Sequence, residues 1–350
     1  MHAVIADVYF LLTRVKIDWI GYMRNSACDV RNMTLCLKRL LKRQLYSIIT
    51  LQDEWSIGIY SGNSPLSLSP CSNLKNPVLT VADITDIPAA AVADPFVLRR
   101  NEGWYLFFEV VNADNGRGSI GYAVSDDGYS WRYGRIVLEE PFHLSYPYVF
   151  EWDGLYYMLP EASASGSLRL YKATDFPEKW VFAGNLKEGN FVDPCIFLHD
   201  KRWWLLTSTG WKDRIDILCL FYADRPTGPW HEHPQNPFVR ADRRFCRCGG
   251  RITFVDGRII RYVQDDYPTY GYQVWAFEIT ELSISRYAER PLAAKPVIGG
   301  NGRGWNAEGM HNIDPYRLGK DNWLAFVDGY RVVRPGRLYT PLLKEMQNVW

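Results

Sequence analysis

One pattern recurs five times along the chain and constrains the fold more than any other feature. Each copy opens with a small or polar residue, often followed by Asp-Pro, and runs into a short apolar strand. A turn and a second strand rich in Trp and Tyr follow. The copies read ADPFVLRRNEGWYLFFEV from Ala93, SYPYVFEWDGLYYMLPEA from Ser145, VDPCIFLHDKRWWLLTST from Val192, CGGRITFVDGRIIRYVQDD from Cys248 and IDPYRLGKDNWLAFVDGY from Ile313. Their strand-turn-strand rhythm has little helical periodicity, and the spacing of the copies suits four short strands with loops. The expected fold is all-β, a five-bladed β-propeller of four-stranded antiparallel blades with a short helical N-terminal extension.

The outer half of each unit also repeats, as IGYAVSDDGYSW, LRLYKATDFPEKW, LCLFYADRPTGPW and VWAFEITELSI. Asp127-Gly128 suits a hairpin turn, and Trp131, Trp180 and Trp230 are placed to wedge between blades. Only two strands are evident in the fifth unit, whereas WSIGIY from Trp55 has no unit of its own. That early strand is expected to complete blade five and close the ring, because closure removes exposed strand edges.

Residues 1–50 differ in character, with basic side chains in excess and helical spacing of Leu37, Leu40, Leu41 and Leu45. The segment suits a helix packed on the domain with a solvated basic face, or peripheral contact with a membrane or a partner. The expected division is 1–50 as extension, 51–335 as propeller and 336–350 as tail. The first residues, MHAVIADVYFLL, lack a positive start and a cleavage site, and no apolar run is long enough to span a bilayer, so a cytoplasmic location is expected.

Forty Lys+Arg balance 39 Asp+Glu, which gives no charge-driven affinity for nucleic acid. Aromatic residues make up 15% of the chain, which suits both pleated strands and surfaces that stack on sugar rings. The seven cysteines are odd in number, and Cys195 and Cys219 fall in apolar runs, so reduced buried thiols are expected. Cys246 and Cys248 have no second pair at zinc-site spacing, and neither a metal nor a cofactor is expected.

Ala93-Asp94-Pro95, Val192-Asp193-Pro194 and the SDDGYSW turn give the region from Trp55 to Tyr330 a likeness to a known superfamily. It resembles the propellers of arabinanases, β-xylosidases, invertases and levansucrases. The strings WSIGIYSG, NPVLT, EPFHLSYPYVF and YYMLPEAS, with LRLYKA after them, are more specific. They are similar to the N-terminal domain of plant glucosamine inositolphosphorylceramide transferases and its bacterial relatives. The resemblance implies a carbohydrate or glycolipid ligand and a glycosyltransferase partner. The transferase domain that follows the propeller in the plant proteins has no room before Trp350.

First strands line the channel of a propeller, so Asp94, Asp193 and Asp314 are expected to converge. Glycoside hydrolysis needs two carboxyl groups, one ionised and one protonated. By resemblance to the arabinanases, Asp94 is the general base and Asp193 tunes the acid. The acid of those enzymes is a Glu opening blade four, where this chain has Cys248-Gly249-Gly250-Arg251. Glu161 is the preferred replacement and Glu308 the other candidate. Two functions therefore stand open: a glycosidase or sugar-transferring domain using Asp94, Glu161 and Asp193, and a non-catalytic glycan-recognition module serving a glycosyltransferase. Substrate contacts are expected from His143, Tyr146, Arg251, His311, Asp314, Trp211 and Trp305. Tyr270 is a further stacking candidate, and Arg243, Arg244, Arg247 and Arg251 suit an anionic substituent.

Overall fold

A computed structural model of the chain describes residues 52–333, apart from 102, 212–213, 239–243 and 293. The calls on residues 1–50 and 336–350, and on Arg243, lie outside the described residues. Residues Asp53–Val333 form one compact unit.

The unit is a five-bladed propeller. Blade one runs outward from Ala89–Arg100 through Gly103–Asn112 and Gly118–Ser125 to Arg132–Leu138. Blade two follows the same order with Ser145–Trp152, Leu155–Glu161, Ser167–Asp175 and Lys179–Glu188. Blade three comprises Val192–His199, Arg202–Trp211, Arg214–Ala223 and His231–Glu232. Blade four has Thr253–Val255, Arg258–Asp265, Gln273–Leu282 and Tyr287–Pro291, and Ile298–Gly299 adds a short fifth strand against Gln273–Leu282. In blade five, Ile313–Gly319 and Asn322–Val333 are joined by Gln52–Ser64 and Ser67–Pro70. The early strand thus closes the ring as expected.

The core lies between blades. Trp131 of blade one meets Phe326 of blade five edge to face at 5.5 Å, and Trp180 of blade two meets Phe107 of blade one in the same way at 5.5 Å. Such contacts add about 1 kcal/mol each to the area they bury. The five cysteines among the described residues, Cys71, Cys195, Cys219, Cys246 and Cys248, are buried thiols outside any disulfide. Among the described residues, no helix is long and apolar enough to cross a membrane.

Three of the repeated motifs share one irregularity. Asp94, Tyr146 and Asp193 have left-handed backbone, with φ of 53°, 46° and 48°, and each sits at a break in register between first and second strands. The extra residue of a bulge bends the strand and re-aims the side chain. Blade five has no break at this level, pairing Ile313 with Val327 and Asp314 with Phe326, and its register shifts only further on, between Arg317 and Gly319. Asp314 is therefore not the counterpart of Asp94. It lies deeper along its strand.

Candidate functional site

Asp94 and Asp193 are buried at the register breaks of their strands, at 5% and 2% exposure. A second set of side chains faces them from the ends of the second strands. Register pairs Ala93 with Glu109, Ser145 with Glu161 and Val192 with Ser208. Backbone bonds from Gln264 N to Arg247 O and from Asp328 N to Asn312 O extend the same level to blades four and five. Glu109, Glu161, Ser208, Gln264 and Asp328 thus occupy one position in successive blades.

Asp328 is the hub of the arrangement. Its Oδ1 accepts backbone N–H bonds from His311 at 3.0 Å and Asn312 at 2.9 Å, and its Oδ2 accepts Asp94 N at 3.0 Å. Asp94 Oδ2 in turn accepts Tyr146 N at 3.1 Å, so carboxylates join blades five, one and two. His311 Nδ1 lies 2.7 Å from Asp328 Oδ2 at an angle that falls short of a good hydrogen bond, and the contact acts as an ion pair. The other ring nitrogen, Nε2, lies 3.0 Å from the Tyr270 hydroxyl and 3.7 Å from Asp94 Oδ1. Trp55 covers the imidazole, with ring centroids 4.4 Å apart.

Burial disfavours the charged form of His311, but Asp328 and Asp94 outweigh it and raise the ring to about 9. Burial pushes the Asp94 carboxyl well above the usual range despite His311, with Glu109, Asp328 and Asp193 adding to the rise. Asp193 is also raised by burial, to about 6, although Arg247 holds it down through an Nε bond of 2.6 Å to Oδ2. Gln264 Nε2 donates to the same oxygen at 3.4 Å. Arg247 also lies 3.5 Å from Asp266 and stacks over Tyr270.

Glu161 is half-buried and accepts hydroxyl bonds from Ser145 at 3.1 Å and Ser163 at 2.7 Å. His143 Nε2 lies 3.0 Å from Glu109 Oε1 while its Nδ1 accepts Gly118 N, which fixes the tautomer of the neutral ring. The hydrogen bond to Glu109 raises its pKa.

Several expected ligand contacts have internal partners instead. Tyr146 is fully buried, and its hydroxyl meets Gly250 and Cys195 inside the channel. Asp314 is also fully buried and binds Arg251 Nε at 2.7 Å and Val97 N at 2.6 Å. The remaining Arg251 nitrogens reach Val149 O at 2.8 Å and Val97 O at 3.2 Å, so this guanidinium ties blades one, two, four and five together. Trp305 packs over Gly58 and Gly329, where an added Cβ would come within 2.6 and 2.9 Å of its neighbours. Glu308 is exposed, and the Trp211 side chain lies outside the described residues. His311 pairs with Asp328 and Asp94.

Asp94, His311 and Asp328 bring ligand atoms within 4.8 Å of one another, a spacing that could hold a metal ion. Asp328 already accepts three backbone N–H bonds.

Of the four residues that open blade four, Cys248-Gly249-Gly250-Arg251, Gly250 is sterically closed. Gly250 has φ of 142° and forms a parallel bridge with Ile313, and a Cβ there would lie 1.8 Å from the Ile313 carbonyl oxygen. No side chain fits at that point of blade four.

Sequence reasoning missed Asp328, the contact of the Tyr270 hydroxyl with His311 and the cover provided by Trp55. Their signal lay in the second strands, where FFE, LPE, TS, VQ and VD stand at matching places.

The fold is a five-bladed propeller, as seen in glycoside hydrolases. The chain belongs to the family described as glucosamine inositolphosphorylceramide transferase 1, N-terminal, which it matches over residues 51–330. It is 37% identical to glucosamine inositolphosphorylceramide transferase 1 of Oryza sativa subsp. japonica over 301 residues, covering 80% of this chain and 40% of that protein. The Arabidopsis thaliana protein of the same name is 34% identical over 301 residues, with 80% and 39% covered. The chain thus spans about two fifths of the length of these relatives.

Among solved structures, β-1,2-mannobiose phosphorylase from Listeria innocua superposes with a TM-score of 0.55 at 14% identity, covering 77% of this chain and 96% of that one. The catalytic domain of an α-L-arabinofuranosidase from Coprinopsis cinerea gives 0.51 at 14% identity, with 79% and 97% covered. Likeness at this level concerns the fold alone.

Proposed function

We propose that the propeller is a glycan-recognition domain whose ligand sits where Asp94, Asp193, Glu109 and Glu161 converge, and that it serves a glycosyltransferase acting on a glycolipid. The observation that carries this reading is the closed backbone at Gly250. The arabinanase scheme takes its acid from the opening of blade four, where this chain has Cys248-Gly249-Gly250-Arg251 and no carboxyl group, and no side chain fits at Gly250. What remains suits binding: buried carboxylates oriented by internal partners, with the half-exposed ring of Tyr270 beside them. The names of the relatives, and the length they have beyond this chain, support the link to a transferase. Residues 1–50 would supply peripheral contact with a membrane or that partner.

A second reading, a glycosidase or sugar-transferring domain, is favoured by one observation. Asp193 is held near a pKa of about 6, and Glu161 is close enough to contribute to that rise. Two carboxyl groups in unequal environments can divide acid and base roles.

A thermal-shift and turnover screen of wild type and Asp94→Asn against arabinosides, xylosides, fructosides, glucosaminides and inositol-phosphate glycans separates the two. Stabilisation by a sugar without turnover in either protein is the expected result. Turnover by wild type that Asp94→Asn abolishes, with binding retained, would replace recognition with catalysis.

A further inference from the structure

The loop between the second and third strands of blade four extends the glycan-recognition reading outward from the mouth. Residues 266–272, between Arg258–Asp265 and Gln273–Leu282, read DYPTYGY. Tyr267 is 68% exposed, Tyr270 51% and Tyr272 37%. No other stretch of this length among the described residues exposes three large hydrophobic side chains. Single exposed rings are ordinary on a protein surface, whereas a cluster of them beside a polar mouth marks a place that something covers.

The loop is clamped from beneath. Asp265 Oδ1 accepts Tyr267 N at 3.2 Å, and its Oδ2 accepts Gln273 Nε2 at 2.8 Å and Trp275 Nε1 at 3.1 Å. Asp266 Oδ1 accepts Gly271 N at 2.9 Å, and Tyr330 Oη donates to Tyr270 O at 3.2 Å. Gly271, at φ 69°, passes so near Trp55 that a Cβ would lie 2.6 Å from the indole. Rings on a loop already ordered lose little conformational freedom when a ligand covers them.

The same loop is tied to the carboxylates of the mouth. Arg247 bonds Asp193 at 2.6 Å, lies 3.5 Å from Asp266 and sits 5.3 Å from the centroid of the Tyr270 ring. Trp55 meets Tyr270 edge on at 6.2 Å. Tyr270 is thus the inner anchor, and the solvent-facing rings beyond it are Tyr267 and Tyr272. Membrane-binding surfaces draw on Leu, Phe and Trp with basic side chains around them. The loop has none of these, and its one charged residue, Asp266, is acidic. A phenol joins an apolar face to a polar tip, which matches a sugar ring with its C–H face and its rim of hydroxyls.

We propose that Tyr267 and Tyr272 form an outer subsite that stacks on a second ring of the glycan, so that the domain reads at least two linked rings. The first lies at the carboxylates of the mouth and the next over blade four. The ligand class is an oligosaccharide or a glycosylated cyclitol. The inference rests on the glycan-recognition reading.

Two measurements on the full chain test it. Calorimetry would use D-glucosamine with its β-1,4-linked disaccharide, and D-xylose with the matching xylobiose. The second ring should tighten binding to wild type. The double variant Tyr267→Ala, Tyr272→Ala should bind the disaccharide about three- to tenfold more weakly, the scale of one aromatic contact, and the single sugar as wild type does. An equal gain from the second ring in both proteins overturns the outer subsite and leaves glycan recognition standing. A wild type that binds no sugar in either series or in the wider screen removes both. Nitration by tetranitromethane, read by peptide mass, should label Tyr267 and Tyr272 in the free chain. Protection by the disaccharide in solution assigns the outer ring to a free glycan. Protection only when that disaccharide is carried on a lipid in phosphatidylcholine vesicles assigns it to a glycolipid headgroup. Protection by vesicles without sugar would make the loop a lipid contact and sink the proposal.

Discussion

Tyr146 and Gly250 meet through one hydroxyl in the interior of the propeller, although they belong to blades two and four. The tyrosine oxygen accepts Gly250 N at 2.8 Å and lies 3.2 Å from the Gly250 carbonyl and from Cys195 Sγ. A polar side chain at the start of a strand thus satisfies the backbone of a blade that has no side chain of its own at that point.

Tyr146→Phe should act on stability and not on ligand affinity. It leaves Gly250 N–H buried without its acceptor, which costs about 1–3 kcal/mol. Urea denaturation should show a lower midpoint at unchanged slope, and the dissociation constant of any bound sugar should stay the same. A fall in affinity at unchanged stability would restore Tyr146 to the ligand contacts expected from sequence.

The Arg251–Asp314 pair should behave as an internal tie. Arg251→Met leaves Asp314 fully buried with Val97 N as its remaining donor, and breaking one side of a buried pair costs about 3–5 kcal/mol. Asp314→Asn should cost less than Arg251→Met, because an amide keeps an oxygen for Val97 N and for the guanidinium. Chemical denaturation of the single variants checks the order.

The repeat made the blades legible, along with the closing strand from Trp55 and the interblade role of Trp131 and Trp180, because each follows from strand rhythm and the removal of edges. The site was legible only in part. Asp94 and Asp193 stand where the motif puts them, but Asp314 shares the Asp-Pro string without sharing the bulge, and one residue of register moves its carboxylate into the interior. Asp328 lies in an unremarkable VDG, and its role comes from three backbone N–H groups brought to it by blades five and one. Such convergence depends on long-range packing, which a linear pattern does not carry. Arg247 and Arg251 read as an anion-binding side because their internal carboxylates, Asp193 and Asp314, were distant in sequence.

His311 should give the fold a pH dependence on the alkaline side. Its pKa rises from 6.5 unfolded to about 9 folded, so folding takes up a proton between those values. The stabilisation is fully present below about 6.5 and is lost as pH rises through 9, with a total on the order of 3 kcal/mol. Melting temperature should therefore fall across that window in wild type. Asp328→Asn, which removes the main charge holding the proton, should move the fall to lower pH. A flat profile in wild type, or one unchanged by His311→Gln, would show that the ring is neutral in the folded protein.

Placing a glutamate at Gly250, in the opening of blade four, should fail. Gly250 lies at φ 142°, where only glycine is comfortable, and its parallel bridge to Ile313 leaves no room for a Cβ. Gly250→Glu must separate the first strands of blades four and five, which breaks the bond from Ile313 N to Gly249 O as well as the contact with Tyr146. The expected loss exceeds about 4 kcal/mol, a large share of the stability of a domain. The variant should be insoluble or should melt far below wild type, and Gly250→Ala should show most of the same loss because the clash begins at Cβ. Should Gly250→Glu fold with wild-type stability, the ring can open at this point.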